Sequence, residues 1–413
     1  MPWTETSAVE QRMAFVREAL REVDSKAALC RRYGISRPTG DKWIRRYLAE
    51  GSQGLEDRSS APLHHPNEVS AAVAERIVAL RTRRMTWGPR KLKAYLHRRE
   101  PWIAWPAAST IGELLGRRGL SGGRKRRRRT PPYTEPFVGC DSPNAVWCAD
   151  FKGWFRTGDG RRCDPLTLTD AYSRYLLRCQ AMADTGGEET RRVFESAFRQ
   201  YGLPLAIRTD NGPPFASTAL GGLSRLAVWW IKLGIVPERI EPGQPQQNGR
   251  HERMHLTLKQ ETAQPPRQSL RAQQRCFRRW LQEYNRERPH EALGQQPPQA
   301  YYARSVRSYP RRLASPSYSG SMEVRSVRHN GQIKWRGGRV YMSEVLAHEQ
   351  VGLQRLTEGY WMVYFYAMLL GVFEERRKRV WSVAQSISKG WLDADVLPRP
   401  FRCASGAGQN DDP

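Results

Sequence analysis

Three acids in the middle of the chain stand where acids have little structural use. Asp150 lies inside the strand-like run "WCADFKGWF", where a carboxylate is a defect unless chemistry employs it. Asp210, in "RTDNGPPF", follows the strand-like "AIRT" and begins an Asn-Gly turn, so its carboxylate can emerge at the C-terminal edge of a sheet, a favoured place for ligands. Glu252 follows Gly249 by three residues in "QPQQNGRHERMH", within the first turn of a new helix. Singly, each acid has a plain reading: a strand-end acid, a turn residue, and a helix N-terminal acid favoured by the macrodipole. Converging, the three would repel one another unless cations neutralised them. Carboxylate oxygens suit hard cations, and two Mg²⁺ or Mn²⁺ ions about 3.5–4 Å apart suit phosphoryl transfer. Glu238 and Glu241 are rival third ligands, but Pro237 and Pro242 crowd them and neither begins the expected helix.

The elements that would carry these acids read as an α/β unit from 137 to 302. "NAVWCADFKGWF", "CDPLTLTDAYSRYLLRCQAM" and "LAIRTDNG" are strand-like and rich in β-branched and aromatic residues. Between the second and third of them, "GEETRRVFESAFRQYG" has Val193, Phe194, Ala197 and Phe198 on one helical face. Such alternation predicts a mixed sheet with helices packed on it. A helix from Ala219 to Leu233, a short "IVPERI" and a helix over "RAQQRCFRRWLQEYNRERPH" complete the unit. Asp170 reads as a turn acid and His290 as a packed or capping histidine.

Ahead of this unit the pattern is helical. Residues 1–60 read as a helix-turn-helix domain: a short apolar helix, a Gly34-Ile35-Ser36 turn, and a second helix with Lys42, Arg45 and Arg46 facing outward. Residues 61–120 read as a second helix-turn-helix-like domain, its internal turn at Trp87-Gly88-Pro89. The linker 121–136 carries Arg124, Lys125, Arg126, Arg127, Arg128 and Arg129, a run that must sit in water or on phosphates. Beyond the α/β unit come a linker (303–320), a small β-barrel or sandwich with Asn-Gly, Gly-Gly and Glu-Gly turns (321–375), and a basic, partly disordered tail (376–413).

With 68 Lys and Arg against 41 Asp and Glu, the formal charge of +27 predicts a polyanionic partner. The seven cysteines form no CxxC pair or Cys/His cluster, which argues against a zinc module or a disulfide framework and fits a reducing cytosol. The longest apolar run, "YFYAMLLGVF", is too short to span a bilayer. A soluble, cytoplasmic, nucleoid-associated protein with no membrane partner is expected.

"CADFKGWF", "LTDAYSRYLL", "RTDNGPPF", "PQQNGRHERMHLTLKQE" and "YNRERPHEALGQQPP", in that order, resemble the integrase catalytic core of bacterial insertion-sequence transposases, relatives of retroviral integrases in the DDE superfamily. The resemblance implies a ribonuclease H-like fold with a five-stranded mixed sheet, metal ligands at Asp150, Asp210 and Glu252, cutting at transposon ends, and joining of the freed 3′ hydroxyl to target DNA. It also implies double-stranded DNA as partner, with a homo-oligomer assembled on it. The 41 residues between Asp210 and Glu252 (211 to 251) exceed the retroviral spacing, and the helix from Ala219 to Leu233 would absorb the excess. Gln247, Asn248, Arg250, Arg253 and Lys259 are candidate DNA contacts beside the acids. An accessory ATPase would be a separate protein, because the chain has no GxxxxGK[ST] loop. The competing functions are a DNA-binding regulator or inactive transposase relative, and a ribonuclease H-like nuclease.

Overall fold

Ser7, Ser25 and Ser36 each start a helix by accepting a backbone N–H three residues on, from Glu10, Ala28 and Thr39. The helices are α1 (Ala8–Leu20), α2 (Lys26–Arg32) and α3 (Arg37–Glu50). Gly34 turns the chain between α2 and α3 at φ 65°, a left-handed conformation that suits glycine. Phe15, Val16, Leu29, Trp43 and Leu55 form the small core. In this computed structural model, residues 7–59, 69–121, 140–239 and 249–393 are described, and the chain divides into two compact units, Met1–Val69 and Ser70–Pro413.

The second unit begins with α4 (Ala71–Arg83), α5 (Pro89–Arg99) and α6 (Ala108–Arg117), packed around Ile77, Trp87, Leu92, Leu96, Trp105, Ile111 and Leu115. Pro89 opens α5 at its first turn, where a missing N–H costs nothing.

The α/β part contains β1 (Val146–Phe151), β2 (Phe155–Arg156), β3 (Arg162–Asp170), β4 (Leu176–Met182), α7 (Gly187–Tyr201), β5 (Ala206–Thr209), α8 (Arg225–Lys232), β6 (Val236–Arg239), α9 (Gly249–Thr262) and α10 (Leu270–Arg286). Its main sheet runs β4-β3-β1-β5-β6, and the two-residue β2 adds a short ladder on β3. β3 pairs antiparallel with β4 and β1, whereas β1/β5 and β5/β6 are parallel. This is the mixed five-stranded arrangement that the resemblance implies. One sheet face buries Trp147, Leu166 and Leu168 against Phe194, Phe198 and Trp230 of α7 and α8. The other buries Cys163, Leu176 and Cys179 against Met254, Leu258, Phe277 and Trp280 of α9 and α10. The helix expected from Ala219 is shorter than predicted: Gly221 and Gly222 both take φ 65°, which no helix tolerates, and α8 starts only after Ser224 caps it.

After α10 the segment 303–320 has no helix or strand, yet it is fastened to the α/β part: Arg307 donates to the carbonyls of Pro204, Leu233 and Gly234. Then follow β7 (Glu323–Ser326), β8 (Gln332–Trp335), β9 (Gly338–Tyr341), β10 (Gln350–Thr357), β11 (Tyr360–Phe365), β12 (Met368–Glu374), β13 (Arg379–Ser382) and α11 (Val383–Ser388). The expected barrel does not close. β13-β12-β11-β10-β7 is an open antiparallel sheet, and the β8–β9 hairpin pairs only with itself, so among the described residues no strand continues the ladder from either edge as a barrel requires. β13 and α11 fall within the stretch expected as tail; residues 394–413 lie outside the described residues.

Candidate catalytic and metal site

The parallel register between β1 and β5 pairs Val146 with Ala206, Trp147 with Ile207 and Cys148 with Arg208, a constant offset of 60. Asp150 and Asp210 each lie two residues past the last paired position, at the same end of the two parallel strands. Strand alternation gives the direction of Asp150: Trp147 and Ala149 enter the core under α7 and α8, so Val146, Cys148 and Asp150 occupy the opposite face, over which α9 passes. The Asp150 side chain keeps 18% exposure. Asp210 sits one residue beyond β5, and its Oδ1 accepts the Gly212 N–H at 3.3 Å. Glu252 is exposed in the first turn of α9.

Among the described residues, the group whose metal-type donor atoms all lie within 4.8 Å of one another is not the three acids but Asp150, His251 and His255. Both histidines are buried, and Thr167, the register partner of Asp150, reaches the Nε2 atoms of both at 2.7 Å. Thr169 Oγ1 stands 3.3 Å from His251 Nδ1, and His255 Nδ1 stands 3.6 Å from Asp150 Oδ2. Burial pushes the His251 pKa down to about 3, and burial reinforced by His251 and Lys152 pushes His255 lower still. The His255–Asp150 contact is therefore one of a neutral imidazole with a carboxylate, not an ion pair. Sequence reasoning passed over these two side chains. The signal that could have found them is in plain view: His251-Glu252-Arg253-Met254-His255 reads H-E-x-x-H, which puts two imidazoles on one helical face.

The rival Glu238 is engaged by Arg208 at 2.7 and 3.0 Å, and Glu241 lies outside the described residues. Asp170 is buried and accepts from the Asn144 N–H at 2.7 Å and the Ser173 N–H at 2.8 Å, so it braces a turn. His290 is buried edge-on against Tyr284, its pKa pushed down to about 3 by burial.

Of the expected DNA contacts, Arg253 and Lys259 are exposed on α9, and Arg250 belongs to its first turn. Gln247, Asn248 and the run Arg124 to Arg129 lie outside the described residues. Lys42, Arg45 and Arg46 lie on α3, with Lys42 and Arg45 exposed. Lys42 and Arg46 rest over the Trp43 ring, 4.6 and 5.2 Å from its centroid, with Arg12 at 4.1 Å. No helix among the described residues is long and apolar enough to cross a membrane.

Integrase core domain families match residues 141–245 and 233–298, a helix-turn-helix domain matches 11–62, and a homeodomain-like domain matches 39–115, all of which imply DNA binding. The chain is 30% identical over 242 residues to an uncharacterised 31.7 kDa protein of insertion element IS407 from Burkholderia multivorans, covering 58% of this chain and 83% of that one. It is 28% identical over 258 residues to a 39.2 kDa protein of insertion element IS476 from Xanthomonas euvesicatoria, covering 62% and 71%. Among solved structures, the HTLV-2 integrase catalytic core domain in complex with magnesium aligns at 18% identity and a TM-score of 0.32, over 40% of this chain and 99% of that one. By its family matches and its insertion-element relatives, the chain belongs to the insertion-sequence transposases with an integrase catalytic core, within the DDE superfamily.

Proposed function

We propose that this chain cuts transposon ends and joins the freed 3′ hydroxyl to target DNA, with Asp150, Asp210 and Glu252 as its catalytic and metal-binding residues. The observation that carries the reading is the parallel β1/β5 register, which takes Asp150 and Asp210 to the same end of the two strands, with Glu252 in the first turn of α9, the helix whose His255 lies beside Asp150. The donor set fits Mg²⁺ or Mn²⁺, because all three side chains offer hard carboxylate oxygens. Two such ions, when bound, would activate the attacking oxygen and stabilise the leaving one.

The chain's own residues do the rest. Asp150 is held within β1 of a sheet whose two faces are both packed, and Asp210 directly follows β5, where its Oδ1 accepts the Gly212 N–H. Glu252, in the first turn of α9, turns outward toward incoming DNA, with Arg253 and Lys259 exposed on the same helix to draw phosphates. Residues 1–60 read the end sequence through α3, residues 61–120 and the run Arg124 to Arg129 add phosphate contacts, and several copies assemble on DNA. The reading does not require the accessory ATPase that the sequence leaves open.

The test is cleavage and joining of labelled end DNA in Mg²⁺ by Asp150→Asn and Glu252→Gln. Both products are expected to vanish while footprints on end DNA persist. Cleavage surviving in either variant would remove that residue from the catalytic set, and loss of footprint together with cleavage would point to misfolding.

A further inference from the structure

His251 and His255 stand one helical turn apart on the inward face of α9, each 4% exposed, with the Asp150 carboxylate beside them. Two histidines at i and i+4 are a recurrent way for a helix to offer two nitrogens to one ion. The proton count around Thr167 sharpens the point. Its hydroxyl has one proton and three neighbours: the Asp150 carbonyl at 3.1 Å and the two Nε2 atoms at 2.7 Å. The carbonyl can only accept. In the tautomer pair in which the carbonyl takes that proton, both Nε2 atoms are N–H donors to the hydroxyl oxygen and both Nδ1 atoms carry bare lone pairs. The Nδ1 of His251 stands 3.3 Å from Thr169 Oγ1, a hydroxyl that can turn its proton away and leave that lone pair for an ion. In that pair the lone pair of His255 faces the Asp150 Oδ2 across 3.6 Å, a separation that a cation shared by the two atoms can span.

We infer that Asp150, His251 and His255 form a site for one borderline transition-metal ion, of which Zn²⁺ is the type. Imidazole nitrogen suits such ions, whereas Mg²⁺ prefers oxygen. With bonds of about 2.0–2.2 Å, an ion shared by His255 Nδ1 and Asp150 Oδ2 at their 3.6 Å separation subtends roughly 120°. His251 completes the set with a donor within 4.8 Å of both others. The H-E-x-x-H pattern serves hydrolysis in metallopeptidases, where the Glu is a general base. Here both rings are buried and Glu252 is exposed on a different side of the helix, so the site is assigned ion binding alone. Its donors differ from the three-carboxylate set except at Asp150, so an occupied site withdraws Asp150 from that set. The binding itself does not depend on the proposed strand transfer.

The experiment is a Co²⁺ titration of the full chain, stripped with chelator, followed by its visible ligand-field absorption. One equivalent is expected to bind, and Zn²⁺ is expected to displace it, since Zn²⁺ binds such donors more tightly than Co²⁺. His251→Asn and His255→Asn should each weaken binding by more than roughly tenfold, the loss that changes even outside the ligand shell cause. Asp210→Asn and Glu252→Gln should leave the spectrum unchanged. Circular dichroism melting reports whether each variant folds. Should a histidine variant fail to fold, Asp150→Asn, whose side chain is partly exposed and keeps its shape, must show the same loss. Absence of the signal in the unaltered chain, or its persistence in folded histidine variants or in Asp150→Asn, overturns the inference. So does a signal lost in Asp210→Asn or Glu252→Gln but kept in the histidine variants, a result that leaves the proposed function standing.

Discussion

Replacing Arg84 by Ala should loosen the second helical module from the α/β part, by an amount the contacts define. Arg84, at the end of α4, donates to Glu283 at 2.5 Å and to Glu287 at 2.9 Å, both on α10. Around this fork, Thr86 and Arg288 bond Glu261 of α9, and Arg98 donates to the Glu287 carbonyl at 2.7 Å. Hydrogen bonds to charged groups contribute about 1.5–3 kcal/mol each when sheltered. Here the three side chains are 23%, 32% and 28% exposed, so solvent screens much of that. The variant also leaves two acids one turn apart, repelling by a few tenths of a kcal/mol. A net loss of about 2 kcal/mol in the second unit follows. The chain has two compact units, so a single melting midpoint mixes transitions. Native-state hydrogen exchange across α4 to α6 and α10 reports the loosening locally. A double-mutant cycle with Glu283→Gln should give a coupling of about 1 kcal/mol at low salt. In 1 M salt the coupling should shrink as the Debye length falls to about 3 Å. A coupling below about 0.3 kcal/mol at low salt, within the scatter of independent sites, would show that the module is held by packing and that the charges are incidental.

Two further outcomes are expected. Burial, helped by Arg288, lowers the Lys91 pKa to about 8 from an ordinary 10.5. Between those values the folded chain binds fewer protons than the unfolded one, so stability rises with pH across that window. Lys91→Met should therefore stabilise most below pH 8 and lose its advantage toward pH 10.5, and urea midpoints at a series of pH values would show otherwise if the gain were flat. Ala at Lys42, Arg45 and Arg46 should abolish discrimination of end DNA from random duplex in footprints, because base readout needs a helix in the major groove. An unchanged footprint would move recognition to the second helical module.

The strands, α7 and the two helical modules are legible because their periodicities are strong and their ends carry recognisable signals: Ser caps for α2 and α3, Pro89 at the start of α5, Asn-Gly after β5. What sequence could not supply is pairing. Nothing in the 59 residues between Asp150 and Asp210 (151 to 209) says that their strands are parallel neighbours in a 60-residue register, and that register is what takes both acids to the same end of the pair. The barrel failed for a related reason. Alternation predicts strands but is silent on whether the last one finds the first, and the β8–β9 hairpin pairs only with itself. α8 was over-extended because "ALGGLSRLAVWW" has apolar residues at helical spacing that two left-handed glycines override.

The histidines show how a buried helical stripe can hide polar side chains from a reading by periodicity. Positions 251, 254, 255 and 258 fall at i, i+3, i+4 and i+7, the stripe a helix buries, and two members of it are Met254 and Leu258. Read by periodicity, His251 and His255 are simply the polar members of a core-facing stripe, and attention passes to Glu252, the one acid beside them. Only the antiparallel register of β1 with β3, which brings Thr167 opposite Asp150 beneath that stripe, shows what the two rings meet. One turn of α9 thus offers nitrogen donors inward and a carboxylate outward, about 100° round the helix from its neighbour. The two proposed donor sets, one of carboxylates and one with two imidazoles, would therefore differ in metal preference while meeting at a single residue, Asp150. The choice between a hard ion and a borderline one at this centre would then be decided by which side of α9 the Asp150 carboxylate serves.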